Sequence, residues 1–122
     1  MRVLGLIGSK RRAGNTEVLA KEALIGAQSC GAEVELLRLT VLMFVSCSGC
    51  LACVFKDTRC PLPDDLYFLL EAIGRADGLV LGAPVYFYGV PGIVKLIMDR
   101  LLVVKPGQFD GKKAVTFGAA GR

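Results

Sequence analysis

Two apolar runs without polar alternation, RVLGLIG (Arg2–Gly8) and GLVLGAP (Gly78–Pro84), constrain this chain more than any other feature. Strands with apolar side chains on both faces must be covered on both faces, which occurs almost only in parallel sheets flanked by helices. The segments between them supply such helices. NTEVLAKEALIGAQSCG places Val18, Leu19, Ala23, Leu24 and Ala27 at helical spacing. Asn15 or Thr16 can cap its start, Glu17 favours its first turn and Gly31 suits its end. DDLYFLLEAIGRAD turns Leu66, Leu69, Leu70 and Ile73 inward behind an Asp64 or Asp65 cap, and PGIVKLIMDRLL opens on Pro91. AEVELLRL (Ala32–Leu39) alternates like a half-buried strand near a sheet edge, and KAVTFG (Lys113–Gly118) reads as a last strand.

Four strands joined by right-handed crossovers predict an α/β, doubly wound parallel sheet. The expected order is the flavodoxin-like 2-1-3-4. Such sheets usually carry a fifth strand and a last helix, and both are absent from this chain. The expectation is therefore one domain over residues 1–122, C-terminally incomplete, with a cysteine-bearing insertion at 46–61.

At 122 residues, with 53% apolar and 21% charged side chains, the chain is long enough for one folded core. Its net charge of +4 gathers at Lys10-Arg11-Arg12, which suits a single anionic ligand rather than a nucleic-acid track. The absence of histidine excludes histidine base catalysis and histidine-rich metal sites. MRVLGLIGSKRR has an apolar run of only six residues before it turns basic, so no secretory leader is expected. Two charge-free windows of 17 residues, Leu39–Phe55 and Gly78–Val94, are interrupted by cysteines, glycines or prolines and predict no membrane span. The expectation is a cytoplasmic protein, with some apolar surface covered by a second subunit in a homodimer or higher homo-oligomer.

Ligands of doubly wound sheets bind beyond the carboxyl ends of the strands. There GSKRRAGNT offers Ser9, Asn15 and Thr16, the cations Lys10, Arg11 and Arg12, and the free amides of a helix start. It is neither a P-loop nor a dinucleotide glycine fingerprint. It suits a terminal phosphate dianion, or else it is an ordinary capped helix with solvated basic residues. APVYFYGVPG leaves the same end. Tyr86, Phe87 and Tyr88 can flank a flat ring while backbone fixed by Pro84 and Gly89 bonds its polar edge, unless the aromatics simply extend the strand into the core. Ala119–Arg122 can form a third wall. Phosphate at one loop and a flat heterocycle at the next describe a mononucleotide, and FMN fits best.

Four of the five cysteines follow the pattern Cys47-x2-Cys50-x2-Cys53-x6-Cys60, with Pro61 next. Short spacings let one loop wrap a cubane cluster, and Ser48, Gly49 and Ala52 are small enough to bring amides toward the sulfurs. A four-cysteine zinc site usually joins two separated knuckles instead. Disulfides suit an oxidising compartment. Unmetallated thiols are the third alternative. Cys30, at the end of the first helix, reads as a buried structural thiol.

GSKRRAGNT together with APVYFYGVPGIVKLIMDR resembles the NADPH-dependent FMN reductase family, and the cysteine cluster is similar to that of iron–sulfur flavoproteins. The likeness runs over nearly the whole chain. It implies that Ser9, Arg11, Asn15 and Thr16, with Arg12 beside them, hold the phosphate arm. It implies that Pro84, Val85, Tyr86, Phe87 and Gly89 line the isoalloxazine, with Ala119 on the third wall. The expected function is an FMN-dependent oxidoreductase in which FMN exchanges electron pairs and a [4Fe-4S] cluster on Cys47, Cys50, Cys53 and Cys60 passes single electrons. NAD(P)H is a candidate donor, and a redox protein or small-molecule acceptor the partner. No side chain need act as acid or base. Two rivals are an NAD(P)H-dependent flavin or quinone reductase with structural zinc, and a non-catalytic flavodoxin-like module. Because the cysteine segment leaves the second strand at the carboxyl end of the sheet, the cluster is expected on the same rim as the flavin.

Overall fold

Residues 1–121 are described by the computed structural model. The order is β1 (Arg2–Ile7), α1 (Asn15–Ser29), β2 (Glu33–Arg38), α2 (Ala52–Phe55), α3 (Leu66–Arg75), β3 (Gly78–Pro84), α4 (Gly92–Arg100) and β4 (Lys113–Ala119). Single 3-10 turns follow β2 and α4, at Leu39–Val41 and Leu101–Val103. The sheet is parallel throughout and runs β2-β1-β3-β4, the order expected from the apolar runs. Register places Ile7 between Arg38 of β2 and Gly82 of β3, so β1 and β2 end level while β3 runs on to Pro84.

The two faces of β1 divide the core. Val3 packs with Leu24, Ala32 and Val80 on the α1 side. Leu4 and Leu6 pack with Leu39, Leu69, Ala72 and Ile97 on the side of α3 and α4. Each such buried leucine contributes about 1.5–3 kcal/mol through surface removed from water. Gly5 allows α1 to close on the sheet: a Cβ there would stand 2.9 Å from Leu24 Cδ1 and 2.8 Å from Leu36 Cδ1.

Several local expectations give way. The N-cap of α1 is Gly14, with extended backbone and no side-chain bond, rather than Asn15 or Thr16. Glu17, three residues on, turns back to accept the Ala13 N–H at 2.8 Å, so the helix start is organised from inside the first turn. Val18 and Leu19, expected inward, are about half exposed, while Thr16, Glu17, Ala20 and Leu24 take the buried face. Cys30 is exposed, because the helix has already ended there in the bonds from Cys30 and Gly31 N–H to Ala27 and Gln28 carbonyls. Asp65 caps α3 by position only; Asp64 Oδ1 accepts the Leu66 N–H at 3.2 Å. The expected strand 32–39 is trimmed to Glu33–Arg38, and the short α2 inside the cysteine segment is an addition. Among the described residues, no helix is long and apolar enough to cross a membrane.

Candidate functional site

The first loop is anchored at both ends. Gly8 N–H donates to Gly82 O at 2.9 Å, and α4 packs so closely that a Cβ on Gly8 would lie 2.6 Å from Val94 Cγ2. Ser9 is buried, and its Oγ accepts the Arg11 N–H at 3.2 Å. Arg38, the last residue of β2, donates through Nη1 to Ser9 O at 3.0 Å and Arg11 O at 3.3 Å, and through Nη2 to Glu17 Oε2 at 2.7 Å. Lys21 first, then Arg38 and the Ala13 amide, hold the Glu17 carboxyl down at about 2, against the opposing effect of its burial. Thr16 is buried, whereas Arg11, Arg12 and Asn15 are exposed. No side chain caps α1, so its first-turn amides retain donors for an anion.

The third-strand loop is tied to the end of β4 by Val85 N–H to Ala119 O at 3.0 Å. Tyr86 and Gly89 then exchange bonds of 2.9 and 3.1 Å across a two-residue turn, with Phe87 at φ 45° and Tyr88 at φ 63°. Left-handed backbone at a side-chain-bearing residue costs about 1–3 kcal/mol, and here it occurs twice in succession. The strain presents rather than buries the rings: Phe87 is 97% and Tyr88 96% exposed, in edge contact at 5.7 Å. None of the three aromatics enters the core. A groove of about 520 Å³ joins Gly8 and Lys10 of the first loop to Tyr86, Pro91 and Ile93, over a floor that includes Leu42 and Phe44. Pro84 and Ala119 are half-buried at the ends of β3 and β4, and Val85 is exposed. Of the expected third wall, Arg122 lies outside the described residues.

Cys47, Cys50, Cys53 and Cys60 border one hollow, completed by apolar Leu51, Pro61, Leu62, Leu102 and Val103 and by the end of α4. Left-handed backbone at Gly49 (φ 69°) and Leu51 (φ 55°) bends the chain around the first three thiols, and α2 carries Cys53. Gly49 N–H approaches Cys47 Sγ at 3.4 Å. The Cys50 thiol is drawn below its ordinary range by the Ala52 amide, then by Ser48, with Lys56 adding its charge. All five cysteines are free. Among the described residues no three His, Cys, Asp or Glu side chains are grouped so as to hold a metal ion, while the four cysteines line one hollow.

Buried polar groups hold this segment to the helices. Arg100 is 1% exposed, and the Asp64 side chain is wholly buried. Arg100 Nη1 donates to Val45 O and Asp64 Oδ2, each at 2.5 Å, and Nη2 approaches Cys60 Sγ at 3.4 Å. Burial opposes the Asp64 charge, but Arg100 and the Val45 and Leu66 amides keep its carboxyl below the usual range. Cys60 N–H donates to Tyr67 Oη at 2.7 Å, and the Arg59 guanidinium lies 3.9 Å over the Tyr67 ring.

The groove and the cysteine hollow meet opposite ends of α4. This helix starts at the carboxyl end of β3, and its last residue, Arg100, meets Asp64 just before α3. Its first half lines the groove through Pro91 and Ile93, while its last residues, Asp99 and Arg100, line the cysteine hollow. A helix of nine residues spans about 13 Å. The cysteine segment leaves β2 at the rim and is fastened to the start of α3 and the end of α4 by the buried ion pair. Arg38, Glu17, Asp64, Tyr67 and Arg100 shape the two concavities through contacts that sequence patterning misses; Glu17 and Asp64 carry only local helix-start signals.

Residues 1–122 match the NADPH-dependent FMN reductase family. An iron–sulfur flavoprotein of Methanocaldococcus jannaschii is 41% identical over 82% of this chain and 51% of its own length. One from Methanosarcina thermophila is 32% identical over 98% of this chain and 61% of its own. The chain thus spans between about half and three-fifths of these curated relatives. The solved NAD(P)H:quinone oxidoreductase from Methanothermobacter marburgensis superimposes with a TM-score of 0.78 at 24% identity, covering 99% of this chain and 67% of that one, a likeness of fold. With the sheet order, the loop pair at its carboxyl end and a match along the whole sequence, the chain belongs to the NADPH-dependent FMN reductase family.

Proposed function

We propose that the chain is the FMN-binding domain, residues 1–122, of an iron–sulfur flavoprotein, an oxidoreductase that passes electrons between FMN and a [4Fe-4S] cluster. The observation that carries this reading is the single hollow bordered by Cys47, Cys50, Cys53 and Cys60. The names of the Methanocaldococcus and Methanosarcina relatives favour the same chemistry.

The donor sets fit both groups. The uncapped start of α1, with Ser9, Arg11, Arg12, Asn15 and Thr16, suits a phosphate dianion. Pro84, Val85, Tyr86, Phe87, Gly89 and Ala119 would border the ring, and the four thiols would ligate the cluster. When bound, the flavin supplies exchange between electron pairs and single electrons, and the cluster supplies single-electron chemistry. The protein's own part is positioning: Arg38 keeps the first loop in shape, and the Gly49 amide offers a hydrogen bond to Cys47 sulfur. Leu51, Leu62, Leu102 and Val103 give the hollow an apolar lining. NAD(P)H is the proposed donor, with a redox protein or small molecule as acceptor, in a cytoplasmic homo-oligomer.

The test is the visible spectrum, metal content, acid-labile sulfide and released flavin of protein purified without oxygen. One FMN with equal iron and sulfide, four of each per chain, is the expected result. Zinc without sulfide would favour a reductase with a structural metal site. Colourless protein that releases no flavin would favour a non-catalytic module.

A further inference from the structure

We propose that Arg100 is a positioning residue that fastens both ends of the cysteine segment and sets the charge felt at Cys60; the inference rests on the cluster reading above. Val45 lies two residues before Cys47, and both of its backbone groups are bound to one buried pair. Its carbonyl accepts from Arg100 Nη1 at 2.5 Å, and its N–H donates to Asp64 Oδ2 at 2.8 Å. At the other end of the segment, Cys60 meets Arg100 Nη2 at its sulfur (3.4 Å) and Tyr67 Oη at its N–H (2.7 Å). The outer two thiols are therefore located by α3 and α4. Cys50 and Cys53 hang between them on backbone turned by Gly49 and Leu51.

Stability alone is a weak reason for this pair. Taking a guanidinium and a carboxylate out of water costs free energy, and a well-packed apolar pair of similar volume often does as well. What the apolar pair would lack is a cation aimed at a ligand sulfur. Hydrogen bonds to the sulfurs and net local charge are among the determinants of cluster reduction potentials. Arg100 favours the reduced, more negative cluster, and Asp64, farther from Cys60, offsets part of that effect. The two residues form a dipole with its positive end toward the thiolate.

The experiment compares cluster midpoint potential, iron and sulfide content, and iron release to a chelator in wild type, D64N, D64N/R100Q and R100K. The expected order of potentials is D64N highest, wild type next and D64N/R100Q lowest, at undiminished iron and sulfide. A purely structural role would not give opposite shifts. Should D64N fail to fold with its arginine unpaired, the comparison of D64N/R100Q with wild type decides. R100K preserves the charge opposite Asp64 but lacks the planar fork, and its iron is expected to leave about tenfold faster. Equal potentials in wild type and D64N/R100Q, with R100K releasing iron at the wild-type rate, would overturn the role of Arg100. Wild-type protein lacking iron and sulfide would instead overturn the cluster reading on which it stands.

Discussion

Arg38 Nη2 stands 2.7 Å from Glu17 Oε2, so a guanidinium at the end of β2 closes on a carboxylate in the first turn of α1. The other arm of the same fork grips the carbonyls of Ser9 and Arg11. The loop proposed for phosphate is thus shaped before any ligand arrives, and preorganisation of this kind reduces the ordering cost of binding. R38A removes the fork without touching an expected phosphate contact. FMN affinity should fall about tenfold, from the loss of hydrogen bonds involving a charged group. Titration by flavin fluorescence checks this, and an unchanged dissociation constant would show that the loop holds its shape without Arg38.

Glu17 makes acid stability testable. Its carboxyl titrates at about 2 in the folded chain against an ordinary value of 4.5. A depressed folded value means that the carboxylate's contribution is complete above pH 4.5 and is lost as pH falls toward 2. Between those limits wild type should lose stability more steeply than E17Q, read as urea midpoints at successive pH values. Parallel curves for the two proteins would remove Glu17 from the acid response.

How much of this was legible depends on whether a feature is written locally. The runs at Arg2–Gly8 and Gly78–Pro84 announce strands covered on both faces because nothing polar interrupts them, and the observed β1 and β3 agree within one residue. The sheet order followed from handedness. The cysteine spacing predicted a shared site, and all four thiols do border one hollow. The clamp that places it was not legible. Arg100 looks like a solvated base at a helix end, and its partner Asp64 lies 36 positions away with the appearance of a helix cap. Cys30 misled for the opposite reason: a small apolar thiol in a helical pattern implies burial, yet the turn at Gly31 leaves it outside.

The aromatic turn stores strain that substitution can release. Phe87 and Tyr88 occupy the two left-handed positions of a turn that Asn-Gly adopts most readily. F87N/Y88G should stabilise the fold by about 1 kcal/mol, after the larger unfolded-state entropy of glycine offsets part of the relief. The same change removes two exposed rings from the proposed flavin wall, so FMN binding should weaken while the thermal midpoint rises. A lower midpoint would mean that the strained rings support the loop rather than being held by it.

Single alanine variants of Cys47, Cys50, Cys53 and Cys60 separate the two proposed cofactors. The thiols border a hollow lined by the C-terminal end of α4, and the groove by Lys10 and Tyr86 shares no lining residue with it. Each variant should therefore lose the cluster's broad visible absorption and its acid-labile sulfide while retaining FMN with close to wild-type affinity. C30A is the internal control: Cys30 is exposed at the end of α1, outside both concavities, and its substitution should leave both cofactors in place. A variant at one of the four positions that keeps full iron and sulfide would remove that residue from the ligand set. Simultaneous loss of FMN in all four would show that the segment shapes the flavin groove through α4, despite the helix length that separates them.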